Sequence, residues 1–428
     1  MNKLIDFLSM AEPNVRYVVI GSVLLTASSA VIGCFAFLRK RSLAGDAIAH
    51  SILPGICLSF LLAGTKNPLL LLAGAFATGW ISLYLVTYIT SKSKIKEDSA
   101  IGIILSVFFA IGILILTIIQ HSGNVNQAGL DSFLFGKAAA IMEEDLYVFG
   151  ITAVILISTV FVFFKELTLL SFDRNYAQSI GQPIVLLEFL LSSMTVMAVV
   201  VGIQAVGVVL MAAMLITPAA TARYWTNSLP LMIFLAGLFG SFSGLAGAYV
   251  SYISPAMPTG PWVVTIISVI AMLTFFLAPG KGILAKLIQQ RENSRKILGE
   301  NILKALFQLG ETHQNHHRSW SREEIQEKRM MDPGQLAAGL KILKSEGYLK
   351  EKAGKYCFTK EGLLKGKRTT RLHRLWELYL VQYLKIAPDH VHDDAESIEH
   401  VITPEIESIL AEQLGDPDVD PHEEKIPR

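Results

Sequence analysis

The chain has 428 residues, of which 52% are hydrophobic and only 17% are charged, and its formal net charge is +1. This composition excludes an ordinary soluble protein, in which about a quarter of the residues are charged. The first 280 residues carry only 13 of the 37 Lys and Arg residues and 12 of the 36 Asp and Glu residues. We therefore predict a membrane domain followed by a soluble domain of typical domain length.

Apolar windows long enough to cross about 30 Å of hydrocarbon follow one another through the first part of the chain. They fall at 17–38, 45–64, 68–91, 99–120, 146–165, 185–203, 205–224, 229–252 and 261–279. The fold class predicted from them is an all-α polytopic membrane bundle of about nine transmembrane helices. Eight is the alternative, because only Gly202, Gln204 and Gly207 mark a break within 185–224.

Basic residues test the orientation of this bundle. They follow the first window at Arg39–Arg41, the third at 92–96 and the ninth at 281–291. Because Lys and Arg concentrate in cytoplasmic loops, this pattern predicts a multi-pass protein of the cell (inner) membrane with its N-terminus outside. The soluble C-terminal domain is then cytosolic.

Two ionisable residues enter the second apolar window. Asp46 and His50 are four residues apart, so they share one face if the segment is helical. A carboxylate in hydrocarbon costs about 2.5–3.5 kcal/mol, so it is expected to face the bundle interior or a water-filled path. Together the two side chains form half of a coordination sphere for a divalent transition metal. From spacing alone, a helix cap at Asp46 and a hydrogen-bonded core histidine at His50 explain the pair equally well.

A short polar segment, residues 171–183, separates the fifth and sixth windows. Asp173 is placed to cap a helical turn, and Gly181 with Pro183 is placed to end it. We predict a short exposed helix that suits contact with a partner protein, with a plain connecting loop as the alternative. The sequence contains no G-x-x-x-x-G-K-[ST] phosphate-binding loop. We therefore expect no nucleotide on this chain and any ATP hydrolysis on a separate one.

Residues 39–64, which include GDAIAHSILPG, the 171–183 segment and AVGVVLMAAMLITPAATA at 205–222 resemble, in order and spacing, the permease subunits of ABC transporters for manganese, zinc and iron. The resemblance covers about residues 15–290. It implies that Asp46 and His50 bind metal in the translocation path. It also implies a coupling loop for the ATPase subunit, formed by Asp173, Tyr176, Ala177 and Gly181.

The same resemblance implies the partners of such a permease. These are a cytosolic ATP-binding-cassette ATPase, an extracytoplasmic metal-binding protein, a second permease copy in a homodimer, and the lipid bilayer. The expected cargo is Mn²⁺, Zn²⁺ or Fe²⁺, since an oxygen and an imidazole nitrogen alone do not choose among these ions.

The C-terminal part has a second pattern, at residues 321–362. Ser321 is placed to cap a helix, Asp332-Pro333-Gly334 separates it from the next helix, and two short strands flank Ala353-Gly354. This order predicts a winged helix-turn-helix. Residues 281–384 carry 21 basic and 11 acidic side chains, as phosphate contact requires, whereas 385–428 carry 3 and 13. The candidate DNA contacts are Gln335, Lys341 and Lys344, with no arginine to bind guanine.

Residues 300–428 resemble the metal-dependent repressors of the diphtheria-toxin-repressor and manganese-repressor family, through RLHRLWELYL (371–380) and HVHDDAESIEHVITPEI (390–406). The resemblance implies two sets of metal ligands in a helical metal-binding and dimerisation domain. One set is His373, Glu377 and His392, and the other is Glu396, Glu399 and His400. Glu396 favours a hard cation such as Mn²⁺. The sequence departs from the family pattern at Asn301 and Lys304, where neither residue is an anionic ligand.

These observations predict five segments. They are an N-terminal segment (1–16), a permease domain (17–280), a basic amphipathic linker (281–299), a winged helix-turn-helix domain (300–368) and a helical metal-binding domain with an acidic tail (369–428). The function expected is a non-enzymatic permease subunit of an importer for a divalent transition metal, manganese being favoured, with a cytosolic candidate metal sensor. A membrane-tethered metal-responsive transcriptional regulator that binds DNA is the alternative, and an ATP-independent carrier is a weaker one.

Overall fold

The computed structural model of the chain describes residues 2–64, 67–121, 141–254, 257–386 and 402–427. The chain forms two compact units, Met1–Ala285 and Lys286–Arg428. Each unit has its own hydrophobic core. The finer boundaries of the five predicted segments stay predictions.

The described part of the first unit is helical. Its helices are α1 (Asn2–Ser9), α2 (Pro13–Leu38), α3 (Ala44–Ser51), α4 (Leu53–Ala63), α5 (Pro68–Lys92), α6 (Glu97–His121), α7 (Glu143–Val162), α8 (Phe164–Phe172), α9 (Arg174–Ser179), α10 (Ile184–Val206), α11 (Val208–Trp225), α12 (Leu229–Ile253) and α13 (Thr259–Leu277). Proline begins α2 and α5, where its missing N–H leaves no extra unsatisfied group. The membrane bundle predicted from the apolar windows is confirmed.

Eight helical stretches of the described residues are long and apolar enough to cross a membrane, with α3 and α4 counted as one stretch. Helix α11 falls outside this set, yet it runs beside α13. A Cβ at Gly260, near the start of α13, would contact Val206 just before α11 begins. At the other end, the Trp225 indole N–H donates to Thr274 Oγ1 at 3.2 Å. Helix α11 therefore extends over about the same depth as α13, as the seventh window predicts.

Helix α2 lies at the centre of the bundle. Of its most apolar window 78% is buried, against 22% in α6 and α13. It packs against α12, α11, α7 and α10. Gly33 permits the closest of these approaches, because a Cβ there would overlap the Leu215 carbonyl oxygen of α11. Gly207, with φ of +88°, is the single residue between the end of α10 and the start of α11.

The second unit contains the predicted succession of two helices and a hairpin. Its elements are α14 (Ile283–Thr312, which begins at the end of the first unit), α15 (Arg322–Lys328), α16 (Pro333–Ser345), β1 (Leu349–Lys352), β2 (Lys355–Phe358), α17 (Lys360–Leu384) and α18 (Pro404–Gln413). Ser321 and Glu324 form a capping box on α15, and Asp332 caps α16. The strands are antiparallel, with Ala353 and Gly354 at positive φ in the turn between them.

Candidate functional site

The stretch that carries Asp46 and His50 is two short helices, not one continuous helix. Helix α3 ends at Ser51 and α4 begins at Leu53, with Pro54 in its first turn. Proline has no N–H, so the His50 carbonyl oxygen, four residues earlier, loses its α-helical donor. Broken helices of this kind are tolerated in membranes where they are buried in protein or line a cavity. The apolar window at 45–64 predicts a single helix and is wrong on this point, although Pro54 is the sequence signal for the break.

Asp46 and His50 lie on one face of α3, as their spacing predicts. The Nε2 atom of His50 is 3.5 Å from Oδ1 of Asp46. The Asp46 side chain is 38% exposed and that of His50 is 22% exposed. The three residues between them, Ala47, Ile48 and Ala49, are fully buried. The pair is thus accessible on one side of an otherwise buried helix. This face can present one oxygen and one nitrogen to a cation.

The two sides of the His50 ring have different surroundings. It packs edge-on against Phe109 with ring centroids 5.3 Å apart. Its Nδ1 atom is buried and has no hydrogen-bond partner among the described residues. A metal-binding histidine usually donates a hydrogen bond from its second ring N–H to a neighbouring acceptor, which fixes the ring and raises its affinity for the metal. His50 lacks that support in the part of the chain that the structure describes.

The depth of the pair follows from its neighbours. Phe109, which contacts His50, is the thirteenth of the 25 residues of α6. Gly79, the twelfth of the 25 residues of α5, lies against Ile48 and Ile52 of the broken segment. Both neighbouring helices are candidate membrane spans. His50 therefore lies level with the middle of α5 and α6, whereas Ala47, next to Asp46, packs nearer the start of α6, against Ala100 and Ile104. Broken helices form ion sites near the membrane midplane in secondary transporters.

The segment 171–183 forms the predicted short helix. Asp173 accepts a hydrogen bond from the Tyr176 backbone N–H at 2.8 Å and caps α9. Ala177 is buried, Tyr176 is 56% exposed, and Gly181 has φ of +81° at the turn that follows. The helix therefore exposes the Tyr176 ring while its buried residue Ala177 packs against the bundle. Its contact with an ATPase stays a prediction.

An ion-pair cluster that the sequence analysis missed joins α9 to the end of α2. Glu188 of α10 accepts hydrogen bonds from Arg39 at 2.9 Å and from Arg174 at 3.2 Å. Arg41, two residues beyond Arg39, pairs with Glu97 at 3.0 Å. These contacts bracket the loop that leads from α2 into α3. The separations along the chain are too long for any local signal to have indicated them.

The soluble unit places one pair of the predicted metal ligands together. His373 and Glu377 are one turn apart on α17, with His373 Nε2 3.0 Å from Glu377 Oε1, and both are buried. The ring's other nitrogen, Nδ1, lies 3.3 Å from the ammonium of Lys304 on α14. The remaining predicted ligands, His392, Glu396, Glu399 and His400, lie outside the described residues. Among the described residues no group of three His, Cys, Asp or Glu side chains is placed to hold a metal.

The candidate DNA contacts lie on α16 and differ in their surroundings. Gln335 and Lys341 are exposed. Lys344 is also exposed, but its ammonium pairs with Glu351 of β1 at 2.8 Å. This pair raises the pKa of Lys344 and lowers the pKa of Glu351 through their hydrogen bond and mutual attraction. A phosphate would have to compete with Glu351 for Lys344.

The fold defines a class of protein: a multi-pass membrane permease with an appended second unit. Residues 11–278 match the ABC 3 transport family, and the chain belongs to that family. Residues 359–428 match the iron dependent repressor, metal binding and dimerisation domain. Both resemblances seen in the sequence are confirmed.

Individual relatives agree with this assignment. The chain is 42% identical over 383 residues to the manganese transport system membrane protein MntC of Bacillus subtilis, covering 89% of this chain and 87% of that protein. It is 43% identical over 284 residues to the zinc transport system membrane protein TroC of Treponema pallidum, covering 66% and 95%. The solved structure of PsaBC from Streptococcus pneumoniae in complex with Fab contains a chain that is 33% identical, with a TM-score of 0.58, covering 65% of this chain and 97% of that one.

Proposed function

We propose that this chain is the membrane-spanning subunit of an ATP-driven importer for a divalent transition metal, with Mn²⁺ the favoured cargo. The observation that carries the proposal is the Asp46–His50 pair. The pair is partly exposed on a broken helix, with His50 level with the middle of α6 and with an oxygen and a nitrogen 3.5 Å apart. A charged residue at this depth is costly unless it serves a polar path.

The surroundings of the pair suit transport better than permanent binding. Loss of the second hydrogen bond to a metal-binding histidine typically weakens metal affinity 10- to 100-fold. His50 Nδ1 has no such bond among the described residues. A transport site must release its ion, so modest affinity is an advantage. Two ligands per chain also leave positions for water or for a second copy of the chain in a homodimer.

Manganese is compatible with the ligands and is favoured by the relatives. Mn²⁺ accepts carboxylate oxygen together with imidazole nitrogen, as Zn²⁺ and Fe²⁺ also do. A relative that covers 89% of this chain is named as a manganese transport protein, and another is named as a zinc transport protein. Delivery by an extracytoplasmic metal-binding protein and hydrolysis of ATP by a separate cytosolic ATPase complete the proposal.

The orientation proposed is N-terminus outside and soluble unit in the cytosol. If α11 crosses the membrane beside α13, the crossings number nine, so the start of α2 and the end of α13 lie on opposite sides. The basic residues Arg39, Arg41 and Arg174 then lie at the cytosolic end, as the positive-inside rule requires. The short helix α9 lies at that same end, beside the Arg39–Glu188–Arg174 cluster. We propose that the ATPase contacts α9 and that this cluster transmits the movement to α3.

The soluble unit is proposed to serve the transporter and not to act as an independent transcriptional regulator. The alignment with MntC of Bacillus subtilis spans 383 residues, more than the first unit contains, so that transport protein shares part of the second unit. In addition, one of the three candidate DNA contacts, Lys344, is already paired with Glu351. Deleting residues 300–428 distinguishes the two roles. If target-gene control is lost while transport survives, the deleted unit is a transcriptional regulator.

The test of the proposal is uptake of ⁵⁴Mn²⁺ by cells that depend on this transporter. Asp46→Asn removes the charge with little change in shape, and we expect uptake to fall at least tenfold at equal membrane levels of the protein. Asp98→Asn is the matched control, since Asp98 is an exposed carboxylate in the first turn of α6. Unchanged uptake by Asp46→Asn would remove the assigned role.

A further inference from the structure

A buried lysine stands where the repressor-like domain would need a metal ligand. Lys304 on α14 is only 1% exposed. Its ammonium lies 3.3 Å from Nδ1 of His373, and His373 Nε2 lies 3.0 Å from Glu377 Oε1. The three groups thus form a buried row of ammonium, imidazole and carboxylate. Isolated charges are very costly to bury, so such a row persists only when opposite charges and hydrogen bonds offset the cost.

With Lys304 as an ammonium and Glu377 as a carboxylate, the hydrogen-bonding roles in this row follow from their charges. A lysine ammonium has three donors and no acceptor, so Nδ1 of His373 must accept from it. A carboxylate accepts, so Nε2 carries the ring hydrogen and donates to Glu377. A neutral imidazole has one lone pair in its plane, and here Lys304 faces that lone pair. His373 therefore has no nitrogen available to bind a metal while Lys304 is in place.

The residues present thus do not fit a divalent metal between His373 and Glu377. A metal there would sit beside an ammonium a few ångströms away, inside a buried region where charges repel strongly. The notion of a metal site rests on the domain family matched by residues 359–428 and on His373 and Glu377 themselves. Lys304 lies on a different helix, outside that match, and reverses the charge that a ligand at this place would supply.

We propose that the Lys304 ammonium is the permanent cation of this site and takes the place of a metal ion. It links α14 to α17 through His373 and Glu377 without any exchangeable ion. The packing of these two helices is then independent of metal concentration. Any metal response of the soluble unit must come through groups other than His373 and Glu377.

The experiment measures Mn²⁺ binding by the full-length protein in detergent, by equilibrium dialysis against ⁵⁴Mn²⁺. All variants carry Asp46→Ala and His50→Ala, so that the transport pair contributes nothing. Adding His373→Ala should leave the number of bound Mn²⁺ ions per chain unchanged. A loss of one ion on adding His373→Ala, in protein with unchanged tryptophan fluorescence, would overturn the proposal. Glu377→Gln repeats the test with a smaller change of shape.

Removing the lysine tests the same proposal from the opposite side. Lys304→Met should create Mn²⁺ binding that disappears again when His373→Ala is added. Lys341→Met, an exposed lysine of the same unit, is the matched control and should create none. Failure of Lys304→Met to gain a His373-dependent ion would contradict the claim that Lys304 excludes the metal. These are binding readouts in a background without the transport pair, so they do not depend on the proposed transport function.

Discussion

Arg39, the residue that follows α2, donates a hydrogen bond of 2.9 Å to Glu188 near the start of α10. Arg39 is 11% exposed, and Glu188 also binds Arg174 in the first turn of α9. This carboxylate therefore connects the exposed helix α9 with the loop that precedes Asp46. Through this loop, α9 is linked to the helix that carries Asp46 and His50.

Replacing Glu188 with Gln should lower both the thermal stability of the bundle and the coupling of transport to ATP hydrolysis. It leaves the nearly buried Arg39 guanidinium without its carboxylate, and hydrogen bonds to charged groups contribute about 1.5–3 kcal/mol. We expect a lower thermal midpoint in detergent and a several-fold loss of ⁵⁴Mn²⁺ uptake per ATP hydrolysed. Glu144→Gln, an exposed carboxylate at the start of α7, should change neither. Equal coupling in wild type and Glu188→Gln would show that the cluster is only structural.

Gly33→Ala should destabilise the bundle. An added methyl group would overlap the Leu215 carbonyl oxygen of α11, and backbone cannot move aside as a flexible side chain can. Overpacking of a close contact typically costs about 1–3 kcal/mol. The measurement is the thermal midpoint of the purified protein together with its membrane level. Gly102→Ala is the control, because a Cβ at Gly102 meets nothing within 4 Å, and it should be tolerated.

Replacing the buried Arg374 should strongly destabilise the soluble unit. Its guanidinium is 3% exposed and binds Glu311 at 2.8 Å, Glu424 and Asp420. Burial alone would lower its pKa, but the hydrogen bond and charge of Glu311, with the charges of Glu424 and Asp420, raise it. Arg374→Met leaves these carboxylates facing one another, and breaking a buried pair costs about 3–5 kcal/mol.

Limited proteolysis reports this change directly, because Arg374 fixes the segment around Asp420 and Glu424 to α17. Arg374→Met should be cleaved faster than wild type between residues 415 and 427. Arg368→Met, which loses a more exposed pair with Glu407, should be cleaved at nearly the wild-type rate. Equal protection of Arg374→Met and wild type would mean that other contacts hold this segment.

The Lys344–Glu351 pair predicts a dependence on pH. Its hydrogen bond and the ammonium charge lower the pKa of Glu351 below its ordinary value. A carboxylate with a lowered pKa stabilises the fold above its unfolded-state pKa, and this contribution disappears as pH falls through the folded-state pKa. Wild type should therefore have a higher unfolding midpoint than Glu351→Gln at pH 7. The difference should shrink below about pH 4, and a difference that grows there would contradict the assignment.

The sequence predicted local features well because their causes are local. The caps at Asp173, Ser321 and Asp332 and the hairpin turn at Ala353-Gly354 depend on residues within one turn of one another. Each apolar window is one continuous stretch of the chain. The common face of Asp46 and His50 follows from helical geometry alone. The resemblance to known families also predicted the correct class of protein.

What the sequence could not predict depends on contacts between distant residues. Glu188 lies 149 positions from Arg39, and His373 lies 69 positions from Lys304. No periodicity links such positions, so only the packed fold brings them together. The sequence marked Lys304 as an unsuitable ligand, but the structure supplies the partner that explains how its charge is buried. The depth of His50 also required Phe109 of α6 as a reference.

Asp46 and His50 are proposed to pass a divalent metal across the membrane. The most direct measurement is ATP-driven ⁵⁴Mn²⁺ accumulation in proteoliposomes that contain the purified complex, with ATP hydrolysis recorded in the same samples. Wild type should accumulate Mn²⁺, whereas Asp46→Ala and His50→Ala should each lose most of this transport while the complex still assembles. Accumulation at the wild-type rate by the Asp46→Ala and His50→Ala double variant would contradict the account.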